Sequence, residues 1–513
     1  MISECSRVTV AEVKMGFPGK WTQPFLLAAC VAGALAPLAC GEDDPGSPSV
    51  SDGGMGGQLA TGATGGEPSP PGGSNDGGSG NESGAASMAG DGGSAGAAGG
   101  TAGVGGAPEG GASGVVGMTF PPYPEVSFPQ ENPFSLEKAI LGKILFWDEQ
   151  MSSDNTVACG TCHRASSGGT DPRGASPASR HPGATADPQD DIHGAQGIKR
   201  CTVAGSVVTY KADPVFGLNV QVTSRRPPSY LDAMFAPDIF WDGRAKTTFI
   251  DPDTNQIAIV SGGGLESQSV GPPLADTEMA CEGRKWTDIH AKLKTAVPLK
   301  LAHDLPADMK AALAVDPTYP ELFEAAFGTP EINTKRIAFA IATHERRLTS
   351  KETPWDRFNA GEVEAFTPAM RRGYELFLDK GKCTPCHAPP LFTDGVFHNL
   401  GFVASNFDKG REVVSGQALD KGKVKTSTLR NVGLREPGGL LHFGHGPGAT
   451  LDAVMAAYNE PPMFENADVL IEPLRLTPDE IADMLTFMRD GLTDPRVAAE
   501  LPPFDRPKLG SEP

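Results

Sequence analysis

Two pentapeptides constrain this chain more than any other feature: CGTCH at 159–163 and CTPCH at 383–387. Each is a C-x-x-C-H run, the pattern at which c-type haem is attached. The two thiols of one helical turn add to the two vinyl groups of the porphyrin, and the adjacent histidine reaches the iron as its proximal ligand. We therefore predict two covalent haems, one held by Cys159 and Cys162 with His163, the other by Cys383 and Cys386 with His387.

Two other uses of these cysteines stay open at this point. Four thiols in two pairs can hold a zinc ion, and the two cysteines of a pair can form a disulfide. The chain has nine cysteines in all. Two complete C-x-x-C-H runs, separated by residues 164–382, favour haem over both alternatives.

Charge and length limit the class of protein. The formal net charge is -20 and the isoelectric point about 4.9, which argues against a nucleic-acid partner. A chain of 513 residues is long enough for two or three domains.

The amino end is typical of an export signal. Basic residues precede Pro24–Ala39, an apolar run without charge that is too short to be a convincing membrane-spanning helix. The run ends at Cys40, which a Gly-Glu-Asp-Asp tether follows, as at a bacterial lipoprotein cleavage site. We predict a signal peptide at 1–39, with a start at Met15 as an alternative, and lipidation of Cys40. Cleavage before Cys30 and a plain secretory signal remain alternatives.

This signal predicts a protein of the periplasm or cell surface, anchored by lipid to a bacterial membrane. Haem c is attached, and disulfides persist, outside the cytoplasm. Residues 40–118 are rich in Gly, Ser, Ala and Pro. Such a segment cannot bury a core, so we predict a disordered tether there.

Helical signals flank both haem motifs. Ser135 can cap a helix that precedes the first motif, Thr367-Pro368 opens a helix before the second, and Thr477–Glu480 is a capping box for a final helix. A few helices around one haem is the arrangement of a cytochrome c. We predict a mainly α fold with two tandem cytochrome c-like domains, each around one covalently bound haem.

Several segments resemble the bacterial dihaem cytochrome c peroxidase family, which includes related dihaem enzymes that oxidise protein side chains. The resemblance spans about 120–500. It is carried by Leu141–Phe146, Ser153–Asn155, Pro228-Ser229, Phe240–Arg244, Glu266–Gln268, Gly271-Pro272, Glu278-Met279, Phe397–Gly401 and Thr428–Val432.

The resemblance implies a role for each domain. The N-terminal peroxidatic domain, 119–350, would reduce peroxide at the His163 haem. There Glu278 would move a proton between the peroxide oxygens, and Gln268 would orient the peroxide. Trp241 would relay electrons between the haems. The C-terminal domain, 351–503, would accept electrons at the His387 haem, and 504–513 would be a tail. A surface carboxylate at 278 and a structural Trp at 241 are the alternatives.

The chain departs from the family in the loop that can block the peroxide haem. Some members have a histidine there, but residues 215–220 contain none. We therefore expect the His163 iron to be open in the oxidised protein. His181 and His193, in a long insertion, are alternative sources of a blocking ligand.

Two further departures concern ligands. Arg226 stands where the family has a calcium-binding asparagine, with Asp420 as a conceivable replacement ligand, so the resemblance leaves Ca²⁺ open. Phe443 stands where the second haem has its distal methionine. His445 or His442 is the candidate distal ligand, and a histidine would lower the haem potential relative to methionine. Two alternatives stay open. Both histidines can lie outside the coordination of the iron, and Met455 or Met463 can be the distal ligand instead.

Beyond the predicted signal peptide, Cys201 and Cys281 remain after the haem and lipid cysteines. In an oxidising compartment they are candidates for a disulfide, which would fix the 165–225 insertion to the active-site loop. The sequence leaves the pairing open, because a disulfide requires the two residues to be close.

The resemblance implies a peroxidase that reduces H2O2 to water with electrons from a small periplasmic donor, a cytochrome c or a copper protein. One alternative is an enzyme that oxidises Trp or Tyr of a partner protein through a high-valent haem state. Another is a membrane-tethered electron carrier, against which Glu278 and Gln268 argue. The oligomeric state is left open, with a dimer as one choice.

Overall fold

Residues 120–183, 190–404 and 406–512 are described by the computed structural model. The predicted signal peptide at 1–39, the tether at 40–118 and the lipidated Cys40 lie outside these residues. Within them, no helix combines the length and the apolar character needed to cross a membrane.

Helices provide most of the regular structure, as predicted. In chain order the described helices are α1 Leu136–Trp147, α2 Cys159–Cys162, α3 Gly264–Ser269, α4 Trp286–Leu293, α5 Ala307–Ala312, α6 Tyr319–Phe327, α7 Thr334–Glu345, α8 Pro354–Asn359, α9 Pro368–Leu378, α10 Glu412–Ser415, α11 Leu451–Asn459, α12 Pro478–Thr486 and α13 Pro495–Ala498.

Short antiparallel pairs of strands supplement the helices. The strands are β1 Arg180–His181, β2 Ile192–His193, β3 Gln196–Lys199, β4 Cys201–Ala204, β5 Val207–Tyr210, β6 Val220–Val222, β7 Phe249–Asp251, β8 Gln256–Ile259, β9 Phe397–His398 and β10 Val424–Lys425. They pair as β1-β2, β3-β6, β4-β5, β7-β8 and β9-β10. Of these ten strands in the described part of the chain, six lie between 180 and 222, so most of this strand structure belongs to the insertion.

The first hydrophobic core is built on α1 and α7. Ser135 caps α1 by accepting a hydrogen bond from the Lys138 amide, as predicted. The two helices approach closely at Gly142, where an added Cβ would overlap the carbonyl of Ala340. Leu141, Ile144 and Leu145 are fully buried there, together with side chains from α4 and α6.

The carboxyl end also packs into this first core. We predicted residues 504–513 as a tail, but Phe504 and Leu509 are buried in the cluster. The Gly510 amide donates to the Glu149 carboxylate, 2.8 Å away. Burial of two large apolar side chains is a sufficient reason for this segment to fold back.

A second core forms around α8, α9 and α12. Thr367 caps α9 by accepting from the Met370 amide, and Thr477 with Glu480 forms the predicted capping box of α12. Phe377 and Phe487 are fully buried between these helices. The two cores draw mainly on the two halves of the folded chain, and the domain boundary at 350/351 stays a prediction.

Candidate haem sites and active-site cavity

The first C-x-x-C-H motif forms a single helical turn. The His163 amide donates to the carbonyl of Cys159, 3.1 Å away, which closes the turn. Gly160 lies against the indole of Trp147, where an added Cβ would overlap the ring. The turn thus places both thiols and the histidine on one short element, the arrangement that covalent haem attachment requires.

The imidazole of His163 is oriented by its backbone surroundings. Its Nδ1 lies 3.1 Å from the carbonyl oxygen of Gly169. Because a carbonyl can only accept, Nδ1 carries the hydrogen and Nε2 is left as the nitrogen that can bind iron. Burial lowers the pKa of His163, against the opposing effect of the Gly169 hydrogen bond. The neutral form, which metal binding requires, is therefore favoured.

The second motif repeats this arrangement. The His387 amide donates to the carbonyl of Cys383, 2.8 Å away, and the His387 Nδ1 lies 2.9 Å from the carbonyl oxygen of Phe392. Burial lowers the pKa of His387 as well. In both motifs the residues fit a haem with a proximal histidine.

The motifs line two different cavities. Cys159 and Cys162 face one, and Cys383 and Cys386 face the other. None of the four is in a disulfide. This separation argues against a shared four-cysteine zinc site.

Three predicted catalytic residues share the cavity of His163. Glu278, Gln268 and Trp241 all line it. Glu278 is half-buried, and burial raises the pKa of its carboxyl although the charge of Arg244 lowers it. A carboxyl whose pKa is raised toward neutrality is suited to hold and release a proton.

The loop that carries Glu278 is fixed by the insertion. The Ile198 amide donates to the Glu278 carbonyl, 3.1 Å away, and the Glu282 amide donates to the Cys201 carbonyl, 2.8 Å away. Cys201 and Cys281 form a disulfide. The structure thus places the insertion directly against this loop.

Gln268 is held by the helix on which it lies. In α3, Glu266 forms a buried ion pair with Arg346, with 2.7 Å between Oε1 and Nη1. Since Arg346 follows α7, this pair ties α3 to the first core. Gln268 therefore extends into the cavity from an anchored element.

Trp241 lines both cavities. It is buried, and its indole Nε1 donates to the backbone carbonyl of Arg226, 2.6 Å away. Its ring centroid is 5.9 Å from that of His442. A fixed aromatic side chain thus forms part of the wall shared by the two cavities.

The two candidate distal ligands of the second haem are placed differently. His442 lines the cavity of His387, and burial lowers its pKa to about 4, so its imidazole is neutral near pH 7. His445 instead packs against Phe407 and His193. Of the two histidines, the geometry favours His442.

The methionine alternatives also differ. Met455 is buried and lines the cavity of His387, whereas Met463 is half exposed to solvent. Phe443, at the position expected of the distal methionine, is fully buried and lines the same cavity.

The two insertion histidines lie at different sites. His181 lines the cavity of His163, whereas the amide of His193 donates to the Phe443 carbonyl, 2.9 Å away. His181 is therefore the one that could reach the first haem, and the openness of that haem stays a prediction.

Glu345 also lines the cavity of His163, and the sequence did not predict it as a site residue. This residue ends α7 and is buried. Burial raises the pKa of its carboxyl to about 8. The signal in the sequence was a single acidic residue at the end of an apolar helix, which looks like an exposed helix end.

The surroundings of Arg226 do not fit a calcium ion. Its guanidinium donates to the Thr170 hydroxyl and to the carbonyls of Asp171 and Gly438. Such oxygens are ligands that Ca²⁺ prefers, but here they accept hydrogen bonds from a buried cation. Asp420, the conceivable replacement ligand, pairs with Lys423 at 3.1 Å.

Comparison with known proteins places these sites in a family context. Residues 136–364 match the family model described as di-haem cytochrome c peroxidase. The methylamine utilization protein MauG of Methylophilus methylotrophus is 27% identical over 70% of this chain and 84% of that protein. The cytochrome c peroxidase Ccp of Escherichia coli (strain K12) is 29% identical over 65% of this chain and 55% of that protein.

A solved structure shares the fold. A MauG-like protein associated with microbial copper homeostasis aligns with a TM-score of 0.51 at 23% identity. The alignment covers 76% of this chain and 97% of that protein.

Proposed function

We propose that the chain, as a member of the di-haem cytochrome c peroxidase family, reduces H2O2 to water at the His163 site. Electrons enter at the His387 site from a small donor protein, a cytochrome c or a copper protein. The observation that carries the proposal is the meeting of Glu278, Gln268 and Trp241 in the cavity of His163.

Haem bound at the two motifs supplies the iron at which peroxide is reduced and the redox centres that hold electrons. The reaction joins H2O2 with two protons and two electrons and forms two molecules of water. The chain must therefore move protons within the cavity of His163 and electrons between the two sites.

Glu278 is the proton carrier in this proposal. Its carboxylate oxygen takes a proton from one peroxide oxygen and returns it to the other, so that the O–O bond breaks with water as the leaving group. The raised pKa of its carboxyl supports this role, because a group that titrates nearer neutrality can do both steps. The hydrogen bond from the Ile198 amide to its carbonyl holds the backbone that carries this side chain.

Gln268 positions the peroxide. Its side-chain amide offers both a donor and an acceptor, so it can bind a peroxide oxygen in either protonation state. The anchoring of α3 through Glu266 and Arg346 limits the movement of that amide.

Trp241 carries electrons between the sites in this proposal. Trp241 lines both cavities and has an aromatic ring. The hydrogen bond from its indole to the carbonyl of Arg226 fixes the position of that ring. Electrons from the His387 site thus meet a rigid π-system before they reach the cavity of His163.

A second candidate function is the oxidation of Trp or Tyr in a partner protein. The similarity to the methylamine utilization protein MauG favours it. His442 bears on the choice, because a histidine ligand lowers the haem potential relative to methionine. The two functions differ in their reductant, which is a small electron donor in the first and the partner's side chain in the second.

We place the protein in the periplasm or at the cell surface, held to the membrane by lipid on Cys40 through the 40–118 tether. Two domains, 119–350 and 351–503, carry one haem each. The sequence of the amino end supports this location, and the two hydrophobic cores support this division.

Glu278→Gln tests the proposal. Glutamine has about the size of glutamate but cannot take up and release a proton. Steady-state peroxide reduction should therefore fall by roughly 10²–10⁴-fold, while the spectra of both haems stay as in the wild type. Glu282→Gln is the matched control, since Glu282 is an exposed carboxylate four positions along the chain. Turnover that is equal in the two variants would remove Glu278 from the mechanism.

A further inference from the structure

Arg226 joins the two haem sites through its backbone. It is 2% exposed and lines both cavities. Its amide donates to the carbonyl of His442, 2.8 Å away, and its carbonyl accepts from the indole of Trp241, 2.6 Å away. One residue therefore contacts both the candidate distal ligand and the aromatic ring between the sites.

Its side chain joins the same two sites a second time. The Nη2 group donates to the Thr170 hydroxyl at 2.9 Å and to the Asp171 carbonyl at 3.4 Å. Thr170 directly follows Gly169, whose carbonyl orients His163. The Nη1 group donates to the carbonyl of Gly438, on the segment 432–438 that precedes His442.

The chain leaves room for this guanidinium. An added Cβ at Gly174 or at Gly438 would overlap its nitrogen atoms. Glycine at both positions thus allows the planar group to lie between the two loops and to reach oxygens on each of them.

Among the described residues, no ion pair neutralises the charge of Arg226. Its acceptors there are two carbonyls and a hydroxyl, and the carboxylate of Asp171 is bound to Arg173 at 2.7 Å. Burial lowers the pKa of Arg226 to about 10, against the opposing charge of Asp171. The group therefore remains a cation at neutral pH, inside the wall shared by the two cavities.

We propose that Arg226 is a positioning residue that serves as a permanent internal cation between the two haem sites, so that electron transfer between them needs no divalent metal ion. Its hydrogen bonds hold the loops of His163 and His442 and the ring of Trp241 in one arrangement. Its charge favours the reduced state of both haems, because a nearby positive charge stabilises an added electron.

The same geometry argues against a metal ion at this place. The oxygens of Thr170, Asp171 and Gly438 would suit a hard cation, but N–H groups already occupy them. A second cation would also have to lie beside a buried guanidinium without an intervening anion, which is strongly unfavourable at low dielectric. This inference rests on the proposed two-haem function but not on the choice of oxidised substrate.

The experiment measures the midpoint potential of each haem and the rate of electron equilibration between them in the full-length holoprotein. Arg226→Gln removes the charge, and Arg226→Lys keeps the charge but loses the fork that spans both loops. Arg372→Gln is the matched control, because Arg372 is an exposed arginine paired with Asp483 and lies in neither cavity lining. Haem content and absorption spectra are recorded for every variant to confirm folding.

We expect a chelator or added CaCl2 to leave the wild-type potentials and rate unchanged. Arg226→Gln should shift both potentials in the negative direction and slow equilibration. Arg226→Lys should slow equilibration with smaller shifts in potential, and Arg372→Gln should match the wild type.

Two results would overturn the inference. One is a wild-type equilibration rate that falls on chelation and recovers with calcium. The other is a pair of potentials in Arg226→Gln that equals the pair in Arg372→Gln. If Arg226→Gln does not retain both haems, Arg226→Lys decides the test. In that case, a rate of electron equilibration equal to that of the wild type would also overturn the inference. None of these measurements uses H2O2. A failure to reduce peroxide would therefore refute the proposed function without refuting the inference about Arg226.

Discussion

Replacement of Glu345 by glutamine should remove a pH-dependent destabilisation of the folded protein. Glu345 is 4% exposed in the cavity of His163, and its Oε2 has no hydrogen-bond partner among the described residues. Burial raises the pKa of this carboxyl from 4.5 to about 8, the charge of Arg346 lowers it and that of Glu266 raises it further. The folded protein therefore binds this proton more tightly than the unfolded chain does.

The sign and size of the effect follow from linkage. Below pH 4.5 the carboxyl is protonated in both states and has no effect on stability. As the pH rises from 4.5 to about 8 the unfolded chain ionises first, so the free energy of unfolding falls, and above about 8 the full penalty is present. A difference of roughly 3.5 pH units at about 1.36 kcal/mol per unit sets a maximum of about 5 kcal/mol.

Urea unfolding of the holoprotein between pH 5 and pH 9 measures this effect. Glutamine resembles the protonated acid at every pH, so the stability of Glu345→Gln relative to the wild type should increase with pH, by several kcal/mol in total. Glu364→Gln, at an exposed glutamate, is the control for loss of one negative charge. A stability difference between Glu345→Gln and the wild type that is constant with pH would refute the reasoning.

Three further predictions concern the two haem sites. His442→Ala should change the absorption spectrum and potential of the His387 haem alone, and an unaltered spectrum would remove His442 as its ligand. Trp241→Phe should slow electron transfer between the haems because it removes the indole and its hydrogen bond; an unchanged rate would show that electrons take another route. Electron paramagnetic resonance of the oxidised protein should show a high-spin His163 haem, whereas low-spin signals alone would point to His181 as a sixth ligand.

The sequence predicted the elements whose signals are local. The caps at Ser135, Thr367 and Thr477 each depend on one side chain and the amide three residues further along, so the pattern in the chain is sufficient. The same holds for the two C-x-x-C-H turns, each of which closes on its own backbone.

Contacts between distant segments could not be predicted in this way. Arg226 acts through Thr170 and Gly438, which lie 56 and 212 positions away in the chain. His442 and His445 are three residues apart, and only the folded loop shows which of them faces the cavity. The burial of Phe504 depends on a core made more than a hundred residues earlier.

The most direct test of the central claim is the steady-state reduction of H2O2 by the purified holoprotein with a reduced small c-type cytochrome as donor. The proposed function predicts continuous turnover in which two donor molecules are oxidised for each H2O2 consumed, with both haems present in every chain. A protein that contains both haems, yet oxidises no donor when H2O2 is added, would contradict it.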